Sequence, residues 1–300
     1  MSDPHLAAFE EQRRLLFGLA YRMLGSVADA QDMVQETYLR WQQTETGAIE
    51  SPRAWLSTVL TRLCLNQLSS ARAKRESYVG VWLPEPLVDD QARDPAEATQ
   101  LADMLSLAFL VLLENLNPVE RAVFILREGF EFEFADIARI VEKSEANCRQ
   151  ILTRARQRVE ERRPRFDASP AEARKLVAPF LLALKDGDYE SMLARMSKNV
   201  VLIADGGDKP GVLLRPLEGA ETVARAMLAR TRKRAADPAD FQAAVINGLA
   251  GIVRFHEGRA QSVMAFGVAD GLIASVFIIS NPDKLRHLHR PVPPPSATTP

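Results

Sequence analysis

The sequence predicts a multidomain chain: two all-α domains, the second closing in a helix-turn-helix, followed by a C-terminal α+β cone. Three observations carry this. Residues 116–159 read as an apolar-periodic helix, a short break, and a second helix whose outward face is Arg, Gln and Thr. Residues 76–98 shift to a proline-rich, acidic composition that separates this stretch from an earlier helical one. Beyond residue 169, helical patterns give way to short apolar runs punctuated by Asn247-Gly248, Glu257-Gly258 and Asp270-Gly271.

Composition bounds the possibilities. With 300 residues and 47% hydrophobic content, the chain can bury a sizeable core and fill two or three domains. The net charge is −1, yet basic residues cluster at 72–75 and again at 149–165, and local patches rather than totals attract phosphate. The two cysteines, Cys64 and Cys148, fall on apolar helix faces, so buried reduced thiols are expected rather than a disulfide or a metal site. That favours a cytoplasmic protein, and no cofactor is called for. The first fourteen positions mix charges without a long apolar run, so neither a signal peptide nor a membrane span is expected.

The first domain, residues 6–75, is read as three helices. Leu6, Phe9, Leu15, Leu16, Leu19, Ala20, Met23 and Leu24 form a stripe that stops at Gly25. A second helix over 28–42 turns Ala30, Met33, Val34, Thr37, Tyr38 and Trp41 inward; its other face shows Asp29, Asp32, Gln35, Glu36 and Arg40, by itself an ordinary solvated face. A third starts at Pro52 behind the capping Ser51, with Trp55, Leu56, Val59, Leu60, Leu63, Cys64 and Leu68 as its core stripe.

The second domain, residues 99–163, holds a helix with Leu101, Leu105, Ala108, Phe109, Leu112 and Leu113 inward, a second starting at 116–118, and the helix-turn-helix. Its last helix starts at the N-cap Ser144 and buries Cys148, Ile151, Leu152, Ala155 and Val159. Arg149, Gln150, Thr153, Arg154 and Arg156 face outward; such side chains bond phosphate oxygens and base edges in a major groove. An Arg-rich solvated face on a structural helix is the plain alternative.

The stretch VADAQDMVQETYLRWQQ from Val27, then SPRAWLSTVLTRLCLNQLSSARAKR, then the helix-turn-helix resembles the bacterial RNA polymerase sigma factors of the extracytoplasmic-function type. The resemblance implies that Asp29, Asp32, Gln35, Glu36 and Arg40 dock on the β′ clamp helices of core polymerase. It implies that the third helix and the loop before it hold the unpaired −10 strand of the promoter, with Arg53, Arg62, Asn66, Arg72, Lys74 and Arg75 as candidates. It also implies that the second domain sits on the β flap and reads the −35 duplex through Ser144, Arg149, Gln150, Thr153, Arg154 and Arg156. Two departures bear on the −10 preference: the family often has Arg-Asn where this chain has Arg62-Leu63, and Asp where it has Asn66. A third concerns the turn of the helix-turn-helix, usually glycine, here Glu142-Lys143; a non-glycine residue at positive φ costs about 1 kcal/mol.

The connecting segment 76–98 is read as a linker rather than a core element. Its WLPEP at 82–86 resembles the signature of one sigma subgroup that carries an extra C-terminal domain of the SnoaL-like class. The third part, 169–288, agrees: helices over 171–185 and 221–233, and strands at 200, 241, 249, 261 and 272, the last four joined by short turns as an antiparallel meander. DGGDK at 205–209 and NPDKL at 281–285 resemble that subgroup's other two motifs. Residues 289–300 are expected to be a disordered tail.

Relatives with this cone include cyclases that use Asp or His as acid and base, and Asp205 at a strand end is better placed for that than His256. The three motifs together favour a regulatory, non-catalytic domain. Trp82, Pro84, Glu85, Asp205, Gly206, Gly207, Lys209, Asn281, Asp283 and Lys284 are its expected contact set, the glycine N–H groups and lysines holding the linker. An unidentified small ligand in the cone stays open. So do two other readings: a helix-turn-helix regulator acting without polymerase, and a cyclase-like or ligand-binding cone fused to DNA-binding modules.

Overall fold

A computed structural model describes residues 4–44, 49–76, 80–89, 106–161, 166–207, 213–233 and 239–289. The chain divides into two compact units, Met1–Ser77 with Asp103–Pro164, and Tyr78–Ala102 with Arg165–Pro300.

In the first unit, α1 (Pro4–Leu24) stops at Gly25, whose φ of 67° suits glycine and whose N–H closes on Tyr21 O at 2.7 Å. Helix α2 (Val27–Gln42) is capped by the Ser26 hydroxyl, which accepts from the Asp29 N–H at 3.1 Å. Helix α3 (Pro52–Glu76) follows with Ser51 as its cap. Leu16, Leu19, Ala20 and Met23 of α1 are buried, as are Val34 and Trp41 of α2 and Leu56, Leu60 and Cys64 of α3. The indole N–H of Trp41 donates to His5 O, which lets a large polar-tipped ring sit fully inside.

Helix α4 (Leu107–Leu113) precedes α5 (Pro118–Phe124), which opens with a reciprocal capping box between Asn117 and Glu120. The positions expected inward at Leu101 and Leu105 lie outside the described residues. Beyond α5 the chain widens into a π turn, Ile125–Gly129, before α6 (Phe134–Val141) and α7 (Glu145–Glu160). At the turn between them Glu142 is left-handed, with φ 55° and ψ 47°, so the backbone keeps the glycine geometry without the glycine.

The two helical domains, read as separate in the sequence, pack into one unit. Buried Arg121 of α5 joins them: its Nη1 donates to Met23 O of α1 and to Glu114, both at 2.7 Å. Periodicity predicts which face of a helix is buried, not which neighbour buries it.

The second unit is built on one seven-stranded sheet. Strands β4 (Asp240–Ile246), β5 (Leu249–His256), β6 (Arg259–Ala269) and β7 (Leu272–Ile279) form the expected antiparallel meander. All three turns place both residues at positive φ, a conformation that favours the Asn, Asp and Gly found there and that Glu257 also adopts. The sheet is mixed rather than purely antiparallel, because β2 (Met196–Asp205) runs parallel to β7; β3 (Leu217–Glu218) closes that edge. Helix α8 (Pro170–Asp186), the short α9 (Tyr189–Leu193) and α10 (Ala220–Lys233) cover the sheet. Five residues are too few for a periodic signal, so α9 escapes the sequence reading.

The core joins Phe180, Met192, Val223 and Met227 of the helices to Phe266, Ile273, Val276 and Ile278 of the strands. Phe180 meets Phe266 edge-on with centroids 5.7 Å apart. Gly267 is required by packing: a Cβ there would lie 2.2 Å from the Phe166 ring.

The segment 82–89 departs from its expected role as a linker outside any core. Val88–Asp89 forms strand β1, antiparallel to β4 through Ile246 and Val245, and Leu83 is fully buried. Proline and acidic content announce the absence of helix, which leaves an extended chain free to add to a sheet edge.

Candidate functional site

On α2, Asp32, Gln35 and Arg40 are exposed and Asp29 and Glu36 half-buried, while Ala30, Val34, Thr37 and Trp41 face the core. Glu36 and Arg40 are paired at 2.9 Å one helical turn apart. The result is an amphipathic helix whose acidic and amide groups share the solvent side.

On α3, Arg53, Arg62 and Asn66 are exposed. Arg72, Lys74 and Arg75 fall on its last turns, and their side chains lie outside the described residues. Arg53 and Arg62 do not wait in open solvent. Arg53 donates to Phe130 O at 3.2 Å and stacks over Phe132, 5.7 Å from its centroid. Arg62 donates to Arg139 O at 3.0 Å and pairs with Glu142 at 3.4 Å. These partners belong to the helix-turn-helix domain, so two of the −10 candidates on α3 contact that domain within this unit.

On α7, the Ser144 hydroxyl accepts from the Asn147 N–H at 3.2 Å, so this candidate caps the helix. Arg149 pairs with Glu145 at 2.9 Å, and Arg156 with Glu128 at 2.6 Å. The Thr153 hydroxyl donates to Arg149 O at 3.0 Å. Gln150 and Arg154 are exposed on the same face. Arg158, which the sequence reading passed over, pairs with Glu120 of the α5 capping box at 2.7 Å and so ties α7 to α5. The Cys64 and Cys148 thiols are buried and free of disulfides. Burial pushes both up in pKa, reinforced by Asp29 for Cys64 and by Glu145 for Cys148, where Arg149 and Lys143 oppose it.

In the second unit, the motif residues converge on the backbone of Leu83. Asp205, at the end of β2, accepts from the Leu83 N–H at 2.8 Å and from the Gly207 N–H at 3.1 Å. Lys284, on the 3₁₀ turn Pro282–Leu285, pairs with Asp205 at 2.6 Å and donates to Leu83 O. Its ammonium also sits 4.0 Å from the Trp82 ring centroid. Both backbone polar groups of one residue, Leu83, are thus held by a buried ion pair.

Further along, the Leu87 N–H donates to Asn247 Oδ1 at 2.9 Å, the Asn247 N–H returns a bond to Leu87 O at 2.8 Å, and His287 bonds Pro86 O at 2.8 Å. Asn247 and His287 were absent from the expected set. Asn247 is legible only as a turn residue, and His287 lies just past the terminal motif.

Other members of that set act differently from expectation. The Gly207 N–H serves Asp205 and not the linker, and at φ 68° its missing Cβ makes room for Asn281, which would lie 3.0 Å away. Gly206, beside it, is buried. Asn281 caps its own turn through the Asp283 N–H, and Asp283 pairs with Arg286 on the surface. Pro84 is buried and Glu85 half-buried. Lys209 lies outside the described residues.

A domain of capped helices with an acidic solvent face, a helix-turn-helix and a cone gripping the segment between them define a sigma factor with a fused C-terminal domain. The comparisons agree. Residues 8–74 match the Sigma-70 region 2 model and residues 106–159 the Sigma-70, region 4 model. The chain is 36% identical over 291 residues to the ECF RNA polymerase sigma factor SigJ of Mycobacterium tuberculosis, covering 93% of this chain and 92% of that one. It is 31% identical to the probable ECF RNA polymerase sigma factor SigI of the same organism, over 94% and 95% of the two chains. The crystal structure of SigJ superposes with a TM-score of 0.75 at 34% identity, covering 94% of this chain and 98% of that one. The chain belongs to the extracytoplasmic-function RNA polymerase sigma factors, and its C-terminal domain is a SnoaL-like cone. No helix among the described residues is long and apolar enough to cross a membrane.

Proposed function

We propose that this sigma factor docks on the β′ clamp helices of core RNA polymerase through Asp29, Asp32, Gln35, Glu36 and Arg40, and seats its second domain on the β flap. Arg53, Arg62, Asn66, Arg72, Lys74 and Arg75 hold the unpaired −10 strand, and Arg149, Gln150, Thr153, Arg154 and Arg156 read the −35 duplex with α7 set by its Ser144 cap. Arg53 and Arg62 bond main-chain carbonyls of the second domain in the free protein, and promoter engagement exchanges these for phosphate oxygens.

The cone is regulatory rather than catalytic and acts on the connection between α3 and α4. The observation that carries this is the grip of Asp205 and Lys284 on Leu83. Asp205, the residue best placed to serve as an acid or base, is committed to Leu83, Gly207 and Lys284. Docking 82–89 on the sheet divides the connection into 77–81 and 90–106 and thereby limits how far the two promoter-reading domains separate.

The test is reconstituted transcription with core polymerase, comparing the intact chain with one ending at Arg163. The shortened chain should bind core and transcribe a cognate promoter at a changed level; unchanged transcription removes the regulatory role. Glu36→Lys should weaken core binding by charge reversal. Full core affinity in that variant refutes the α2 docking face.

A further inference from the structure

The ring of Phe134, the first residue of α6, carries two arginines. Arg127 of the π turn lies over it at 5.1 Å and Arg149 of the recognition helix at 4.7 Å from the centroid. Arg127 is anchored independently, donating to Phe132 O at 2.8 Å and to Glu133 at 3.1 Å. Among the described residues, Arg149 pairs with Glu145 alone, one turn back on its own helix, and its side chain is 56% exposed. An exposed i,i+4 pair restrains a long side chain weakly. The Phe134 face supplies a second restraint on where the guanidinium lies.

We propose that Phe134 is a positioning residue for promoter recognition: it holds the Arg149 guanidinium flat against the helix-turn-helix so that its N–H edge meets a guanine in the −35 duplex. Arginine stacked by its face keeps its edge donors available, and a bidentate bond to guanine O6 and N7 is what those donors fit. Arg149 is five residues past the N-cap, in the part of a recognition helix that reaches bases. Phe134 has no donor of its own, so its contribution to DNA binding passes through Arg149. This inference rests on the proposed −35 role of Arg149.

The experiment uses the full chain bound to core polymerase and a promoter duplex selected by that holoenzyme, with affinity read by fluorescence anisotropy. Phe134→Leu keeps apolar packing and removes the aromatic face. It should weaken the selected duplex by roughly two- to fivefold while leaving non-specific duplex binding unchanged. Phe134→Tyr should retain wild-type affinity, because the ring face survives. In an Arg149→Ala background, Phe134→Leu should have no further effect.

A silent Phe134→Leu, or one whose loss persists in full without Arg149, overturns the positioning role. If Arg149→Ala itself leaves selective binding intact, the −35 assignment of Arg149 fails first and the positioning role falls with it. Thermal unfolding of each variant identifies any failure to fold, and Phe134→Met then replaces the leucine variant with a flexible side chain of similar bulk.

Discussion

Replacing Lys284 by methionine isolates the grip on the linker, because methionine keeps an unbranched apolar stem and deletes only the ammonium. Two consequences follow inside the protein. Asp205, whose side chain is fully buried, loses its counter-charge, while the N–H groups of Leu83 and Gly207 still donate to it. The carbonyl of Leu83 loses its donor. Breaking a buried pair by removing one partner costs about 3–5 kcal/mol, and an unsatisfied carbonyl adds about 1–3 kcal/mol. The cone has a cheaper way out than unfolding. Releasing residues 82–89 lets water reach Asp205 and sacrifices the burial of Leu83, about 1.5–3 kcal/mol, the short β1 pairing and the bonds to Asn247 and His287, whose polar groups water can then satisfy. The expected result is therefore undocking of the linker while the sheet stays folded. Hydrogen exchange reads this directly: the Leu83, Leu87 and Asn247 amides should lose protection while those of β5 to β7 keep theirs. Asp205→Asn with Lys284→Met should restore part of it, because no charge is then left buried. Protection at Leu83 and Leu87 equal to wild type, with stability within about 1 kcal/mol of wild type, would refute the claim that the ion pair holds the linker.

Glu142→Gly should leave unfolding stability unchanged or raise it by up to about 1 kcal/mol. Relief at a left-handed residue outweighs an ion pair with Arg62 whose side chains are 50% and 77% exposed; a denaturant midpoint falling by more than that margin assigns the Arg62 contact a larger role. Glu172, bonded by the Ser169 hydroxyl and the Ser169 N–H at the start of α8, is held below the usual carboxylate range. Because its folded pKa is depressed, the capping contribution is complete above the unfolded-state value and is lost as pH falls through the folded one. An NMR titration should show Glu172 protonating below an ordinary glutamate, with α8 fraying from Ser169 in step; an ordinary titration would mean the box does not form in solution.

Much of the chain was legible because local chemistry dictates it. Gly25, Ser51 and Ser144 stop or start helices where their backbone preferences require, and the Asn247-Gly248, Glu257-Gly258 and Asp270-Gly271 pairs fix the meander through their positive φ. What stayed hidden depends on partners distant in sequence. Arg121 reads as one more surface charge on an amphipathic helix until Met23 O, 98 positions earlier, accepts from it inside the unit. Leu83 reads as a linker residue until Asp205 and Lys284, each more than a hundred positions away, take its two backbone groups. Composition could exclude helix from 76–98 but could not say that the segment completes a sheet edge formed later in the chain.

That placement changes how the subgroup's motifs are understood in physical terms. Asp205 and Lys284 bond the linker through its main chain, so the Leu83 peptide could belong to many sequences; the selectivity lies in what surrounds it. Trp82 offers a ring to the Lys284 ammonium, Leu83 fills a buried site, and Pro84 and Pro86 supply no N–H that would need a partner on the sheet. Each residue of the short motif therefore meets a different constraint of one docking geometry. Loss of the pair takes the counter-charge from Asp205 and the Lys284 donor from the Leu83 carbonyl at the same time, so a tether gripped by main-chain bonds and a buried pair can be released in one step. The control of reach proposed for the cone requires such all-or-none release, and a set of independent surface contacts would not provide it.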